Sequence, residues 1–171
     1  MKDSFFAHQK SKSKTFQMAV GGVFAALVFV CTYFLKLPVP MSSGYVHLGD
    51  GAILLGACAV GALSIPGAAL GSLLADVLLG YAVYAVPTFL IKGGVAVVAV
   101  IGSKQKNPWL WGLFLILAEA VMVVGYFLVE WLVMGYGFAG AFGNVPGNLI
   151  QGGSGVVLAF FLAPMLRRVM K

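Results

Sequence analysis

The chain has 171 residues, of which 61% are hydrophobic and only 9% charged, and its formal net charge is +6. A water-soluble domain carries about 25% charged residues, so this chain cannot cover a soluble surface and reads as an all-α integral membrane protein. Its basic residues fall at segment ends rather than in one patch, which argues against a nucleic-acid partner.

Residues 1–15 are a polar tail with Lys2, Lys10, Lys12 and Lys14, opening on an amphipathic Phe5-Phe6. A single six-helix transmembrane domain, 16–171, follows. Phe16 to Leu35 is the first span, since about twenty apolar residues cover a ~30 Å hydrocarbon core. It is longer than a signal-peptide core and lacks a small-residue cleavage site. Lys36 to His47, with Pro38 and Pro40, reads as a loop that cannot be helical. Leu48 to Leu63 and Pro66 to Leu79 are the second and third spans, joined by a turn at Ser64-Ile65-Pro66. Each reaches roughly 22–24 Å, and the competing reading is one re-entrant hairpin. Tyr81 to Val86 is an aromatic turn, and Pro87 opens a fourth span ending near Gly102. Ser103 to Pro108 is a basic loop. Trp109 to Trp131 is the fifth span, with Trp109, Trp111 and Trp131 as interfacial anchors. Val133 to Pro146 is a Gly-rich loop, Gly147 to Met165 the sixth span, and Arg167, Arg168 and Lys171 close the chain.

Basic loops stay on the cytoplasmic side. Six crossings put the tail, the Lys104/Lys106 loop and the C-terminus there, so both termini are expected in the cytoplasm. Only Lys36 then lies outside, and only Lys92 within the membrane.

The stretch Gly44 to Ala57 turns from polar to apolar within a few residues. Asp50 is expected to cap the helix that starts there, because its carboxylate can accept from free first-turn N–H groups. Tyr45 and His47 suit the same wet-to-oily level, either as ligand contacts or as plain interfacial anchors. Ionisable residues inside a span are costly and rare. Asp76, Lys92, Glu119 and Glu130 are therefore candidates, with Tyr126 between the two glutamates on one helix face. Asp76, Lys92 and Gln151 fall at similar depths below the outer ends of their segments, and Glu119 lies near the midplane. The inner halves carry almost no polar side chain other than Ser. The pattern describes a polar cup open to the outside above an apolar floor.

Lys92 is expected to pair with Asp76 or Glu119, as ligand contacts or as a structural ion pair. Tyr45, Tyr81, Tyr84 and Trp131 are placed to stack on a planar ring, the competing reading being a membrane aromatic belt. Asn144 and Asn148 flank Pro146 and suit a hydroxyl or ring nitrogen, or turn chemistry in the case of Asn144. His47 has no second ligand at metal spacing, so no metal site is expected. Cys31 and Cys58 read as free buried thiols. Small residues recur every four positions at Gly21/Ala25, Gly22/Ala26, Gly67/Gly71/Ala75 and Gly155/Ala159/Ala163. They serve close packing inside the bundle or docking onto another membrane protein. No Walker pattern and no nucleophile–base pair are present, so neither ATP hydrolysis nor any other enzyme activity is expected, and no cofactor.

Three phrases carry a resemblance. Tyr45-Val46-His47-Leu48-Gly49-Asp50-Gly51, Gly71 to Tyr81, and Tyr84 to Gly93 resemble the substrate-binding S components of energy-coupling-factor (ECF) transporters. The likeness is to the riboflavin-type S-component family, which includes predicted pyridoxine and hydroxymethylpyrimidine carriers, and it runs from Phe16 to Arg168. The resemblance implies a multi-pass protein of the bacterial plasma membrane that captures a vitamin at its outer face. It implies loops between helices one and two, three and four, and five and six as the binding elements. A membrane coupling (T) subunit and two ATPase subunits are the implied partners. Helix one docks by a small-residue face, here Gly21/Ala25 or Gly22/Ala26. The expected ligand is a small planar vitamin, a vitamin B6 form or hydroxymethylpyrimidine ahead of riboflavin. Tyr45, His47, Asp76, Tyr81, Tyr84, Lys92, Glu119, Asn148 and Gln151 are the expected binding residues. The alternatives are an autonomous channel or carrier and a purely structural membrane subunit.

Overall fold

The computed structural model of the chain describes residues 13–38 and 45–169. The Phe5-Phe6 start, Pro40 and Lys171 lie outside the described residues. Six α-helices and one small β-hairpin are described: α1 (Lys14–Tyr33), β1 (Lys36–Pro38), β2 (Tyr45–His47), α2 (Gly49–Ala59), α3 (Ser64–Leu78), α4 (Ala85–Ser103), α5 (Pro108–Leu132) and α6 (Gly137–Val169). Ser13 caps α1 by accepting from the Phe16 N–H at 3.3 Å. The helix therefore begins within the stretch read as tail. Asn107 caps α5 in the same way, with Pro at the first position, where a missing N–H costs nothing.

Three elements depart from the sequence reading. The ends of the loop predicted over Lys36–His47 pair as an antiparallel hairpin, Lys36 opposite His47 and Pro38 opposite Tyr45. The predicted second span is a helix of 11 residues, roughly 16 Å long, too short to cross a bilayer alone. It ends at Ala59, and Gly61, with a φ of 61°, turns the chain sharply into a short 3-10 turn and then α3. Almost every residue of α2 is buried. An apolar helix covered on all sides belongs to a core rather than a lipid face, and composition alone does not separate the two. Finally, α6 begins ten residues before the predicted span and runs through Pro146. Proline removes one intrahelical bond, but here the helix continues through it. Gly135 (φ 73°) and Gly137 (φ 70°) make the tight turn that precedes it.

The helices neighbour one another in the order α1–α3–α4–α5–α6–α2. α2 closes the ring against α1 and also packs on α4. Small residues set the closest approaches. A Cβ on Gly71 would strike the Ala25 carbonyl oxygen, and one on Gly67 would lie 3.0 Å from the Gly21 carbonyl oxygen. So α1 and α3 meet backbone to backbone. A Cβ on Gly155 would lie 3.2 Å from Asp50 Cβ, so α6 and α2 meet the same way. Among the described residues, five segments of helix are long and apolar enough to cross a membrane. Their outer faces carry exposed Val23, Leu27, Leu113, Ile116 and Leu128, surface that lipid covers and water does not. The protein is an all-α, multi-pass membrane protein.

Candidate functional site

The polar interior is built from two helical stripes. Tyr84, Thr88 and Lys92 recur every four residues on the α4 side, and Glu119, Met122, Tyr126 and Glu130 recur every three or four on α5. Such spacings place side chains on one helix face. The two helices run antiparallel, so the stripes meet rung by rung. Tyr84 donates to Glu130 Oε1 at 3.1 Å, the Thr88 and Tyr126 hydroxyls are 2.8 Å apart, and Lys92 Nζ reaches Met122 Sδ at 2.9 Å. The Asp76 carboxyl of α3 lies close to the Thr88 hydroxyl.

Lys92 is the innermost rung. Its ammonium lies 2.6 Å from Asp50 Oδ1, with the side chains 1% and 0% exposed, and 5.5 Å from the centre of the Tyr126 ring. Gln151 of α6 donates to Asp50 Oδ2 at 2.6 Å and to Met122 Sδ at 3.3 Å. The expected partners of Lys92, Asp76 and Glu119, are therefore replaced by Asp50. The role read for Asp50 as a helix cap also falls away: α2 has no side-chain cap, and Asp50 turns into the bundle. An ammonium taken out of water needs a carboxylate at contact distance, and α2 supplies one because it lies inside the ring.

The hairpin joins this centre from its own end of the bundle. The His47 N–H donates to Gln151 Oε1 at 3.4 Å, and His47 Nδ1 accepts from the Gly49 N–H at 3.1 Å. A Cβ on Gly49 would strike the Thr32 hydroxyl and come within 2.8 Å of His47 Nδ1, so only glycine fits there. Burial draws the His47 imidazole down to about 4; the Lys92 charge adds to that and the Asp50 charge opposes it. His47 is a neutral acceptor at pH 7.

Glu119 sits one turn below Met122, buried at 5% exposure. Both its oxygens lack a hydrogen-bond partner among the described residues. Its Oε2 lies 3.1 Å from where a Cβ on Gly152 would stand. Below it the interior is apolar: Leu115, Ala96, Ala99, Ala159 and Ala163 are buried. Above it, Glu130 also accepts from Asn144 Nδ2 at 3.1 Å, and the Tyr136 hydroxyl lies 3.3 Å from that of Tyr84, free to donate to it. This ties the α5–α6 turn to the start of α4.

Of the expected binding residues, His47, Asp76, Tyr84, Lys92, Glu119 and Gln151 fall in one polar column. Tyr45 lies on β2, and its side chain is outside the described residues. Asn148 is half-buried on α6, one turn from both Asn144 and Gln151. Tyr81 is partly exposed beside Gly80, its N–H bonded to the Asp76 carbonyl at 2.8 Å. Trp131 packs with Phe127 and Phe138 outside the column. Asp50, Thr88 and Met122 belong to it and were missed. The four-residue recurrence of Tyr84, Thr88 and Lys92 was the available signal for Thr88. For the docking pairs, Gly21 and Ala25 face α3, whereas Gly22 and Ala26 are exposed.

Three comparisons bear on this architecture. An S component of a bacterial ECF transporter has a solved structure that superposes with a TM-score of 0.76 at 23% identity, covering 93% of this chain and 99% of that one. An uncharacterised Pyrococcus woesei protein, described by its position in the gap 3′ region, is 35% identical over 146 residues, covering 82% of this chain and 95% of its own length. The profile of the family described as ECF-type riboflavin transporter, S component, matches residues 12–168. A six-helix bundle of S-component fold, matched almost end to end by that profile, belongs to the ECF-type riboflavin transporter S-component family.

Proposed function

We propose that this chain is the capture subunit of an ECF-type vitamin importer of the cell membrane. It takes a small planar vitamin or precursor, a vitamin B6 form or hydroxymethylpyrimidine ahead of riboflavin, from the outer side. It passes the ligand inward together with a membrane coupling subunit and two ATPase subunits. The observation that carries this reading is the polar column from α2, α4, α5 and α6, which stops at Glu119 above an apolar floor. A site polar at one end and dry at the other suits capture rather than free passage of ions or solutes, which favours it over a channel. Tyr84 and Tyr126 offer ring faces, and Lys92, Gln151 and Glu119 offer polar groups beside them, the combination a planar heterocycle needs. The exposed Gly22/Ala26 face of α1 is the proposed contact for the coupling subunit, since small side chains let another helix come close.

The internal pairing of Lys92, Asp50 and Gln151 favours a second reading, a structural membrane subunit with no ligand. Titration separates the two. Purified protein in detergent, titrated calorimetrically with pyridoxine, hydroxymethylpyrimidine and riboflavin, should show saturable one-to-one binding of at least one. Native mass spectrometry should detect a co-purifying ligand. No binding of any of them, with no co-purifying molecule, would leave the structural reading standing.

A further inference from the structure

Two of the strongest donors in the column end on a sulfur. The Lys92 ammonium carries three N–H groups. It lies 2.6 Å from Asp50 Oδ1 and 2.9 Å from Met122 Sδ, with the Tyr126 ring centre 5.5 Å away. The Gln151 amide nitrogen carries two N–H groups. It lies 2.6 Å from Asp50 Oδ2 and 3.3 Å from the same Met122 Sδ. The other end of that amide, Oε1, accepts the His47 N–H. A thioether is a weak acceptor, whereas an ammonium makes its strong bonds to oxygen. Met122 and both donors are buried, so the sulfur is the poor match in an otherwise well-made network. Packing accounts for an apolar side chain at this depth, where Met122 belongs to the core. It does not account for two polar donors aimed at that side chain.

Of the two acceptors that Lys92 and Gln151 share, only one can yield. Asp50 compensates the ammonium, and moving it away would leave a charge buried alone. Met122 is uncharged and unbranched, with three rotatable bonds and a soft, adaptable tip. We propose that Met122 is a placeholder in the empty site, and that an acceptor oxygen of the captured ligand takes the place of its sulfur between Lys92 and Gln151. Two weak bonds to sulfur are then exchanged for two bonds to oxygen, one of them from a charged donor. Asp50, through its two oxygens, keeps both donors aimed at that point and is a positioning residue. The Tyr126 ring, one turn along α5 from Met122, stands beside the same ammonium and covers the ligand's ring. The placeholder role rests on the capture reading and holds for any ligand that presents such an oxygen. It makes residue 122 a control on affinity. The better the acceptor carried there, the harder the site is to enter.

The test is a substitution series at residue 122 of the full-length protein in detergent. The probes are pyridoxine, 4-amino-5-hydroxymethyl-2-methylpyrimidine and riboflavin, each of which carries oxygen acceptors. Met122→Leu conserves volume and removes the acceptor, so a probe that binds the unaltered chain should bind about three- to tenfold tighter. Met122→Gln sets an amide oxygen at similar reach and should weaken the same probe about tenfold. Without ligand, Met122→Leu should melt below the unaltered chain, and saturating probe should narrow that gap. A purely packing role moves leucine the other way, since an imperfect core fit loosens the site. Weaker or unchanged binding in Met122→Leu overturns the proposal, and so does unchanged affinity in Met122→Gln. A variant that fails to fold leaves methyl NMR of the unaltered protein with labelled methionines. There the Met122 resonance, identified by its loss in whichever variant folds, should move on saturation with the probe. A resonance unmoved by a bound probe overturns the proposal as well. Each of these failures, with a probe still bound to the unaltered chain, spares the capture reading. Binding of no probe, with no co-purifying ligand, sinks both.

Discussion

At Lys92 one ammonium ties α4 to three other helices through Asp50, Met122 and, by way of Asp50, Gln151. Removing it leaves a carboxylate buried without its counter-charge, which typically costs about 3–5 kcal/mol. Lys92→Met should therefore lower the unfolding temperature strongly. Adding Asp50→Asn should recover most of that loss, because no lone charge remains. Ligand affinity should stay weak in both variants. Thermal unfolding in detergent, run beside calorimetric titration, checks this; a Lys92→Met protein that melts with the unaltered one would refute the ion pair. His47 gives a pH signature. Its folded value near 4 lies below the ordinary 6.5 because the ring is buried. The unfolded chain therefore takes up a proton between pH 6.5 and 4 that the folded chain refuses. Stability from this residue is complete above pH 6.5 and is lost as pH falls through that window. His47→Asn can still accept from the Gly49 N–H but cannot titrate, so its melting temperature should fall less steeply from pH 7 to pH 4.5 than that of the unaltered chain.

Among the elements, α1 and α3 make the most specific contact. A methyl on Gly71 would have to displace the Ala25 carbonyl, and backbone cannot yield as a side-chain tip can. Gly71→Ala should destabilise by about 1–3 kcal/mol, read as a lower melting temperature. Ala26→Leu on the exposed face should leave the melt unchanged and abolish co-purification with the coupling subunit. A variant that still assembles would move the docking face elsewhere. These packing roles show where sequence suffices. The runs starting at Phe16, Pro87 and Trp109 gave α1, α4 and α5 nearly to the residue, because long apolar runs between polar ends have few other solutions in a bilayer. Gly147 gave only the later part of α6, since Pro146 and the glycines before it resemble a loop locally while packing of Phe138 on Trp131 and Phe127 keeps them helical. Whether α2 faced lipid or protein was not legible: Ile53, Leu54 and Leu55 are equally apolar in either setting. That ambiguity is why Asp50 passed for a cap and Lys92 was given the wrong carboxylates. Glu119, Gln151 and Lys92 were legible as members of the polar column because each is too polar for its depth.

Taken whole, the bundle is polar toward the hairpin and sealed below Glu119. Reconstituted alone in vesicles it should bind ligand without accumulating it. Co-reconstitution with a coupling subunit and ATPases should give ATP-dependent uptake; uptake by the lone chain would make it a carrier instead. The backbone-to-backbone seam between α1 and α3 bears on how such coupling could be felt. No layer of side chains lies between those two helices near Gly71 to absorb a displacement. Ser72 and Asp76 are buried on α3 a few residues away, and Asp76 lies close to Thr88, whose hydroxyl bonds that of Tyr126, the ring that faces Lys92. If the coupling subunit docks on the Gly22/Ala26 flank as proposed, pressure there meets backbone against backbone at Gly71 before it reaches the side chains of the polar column.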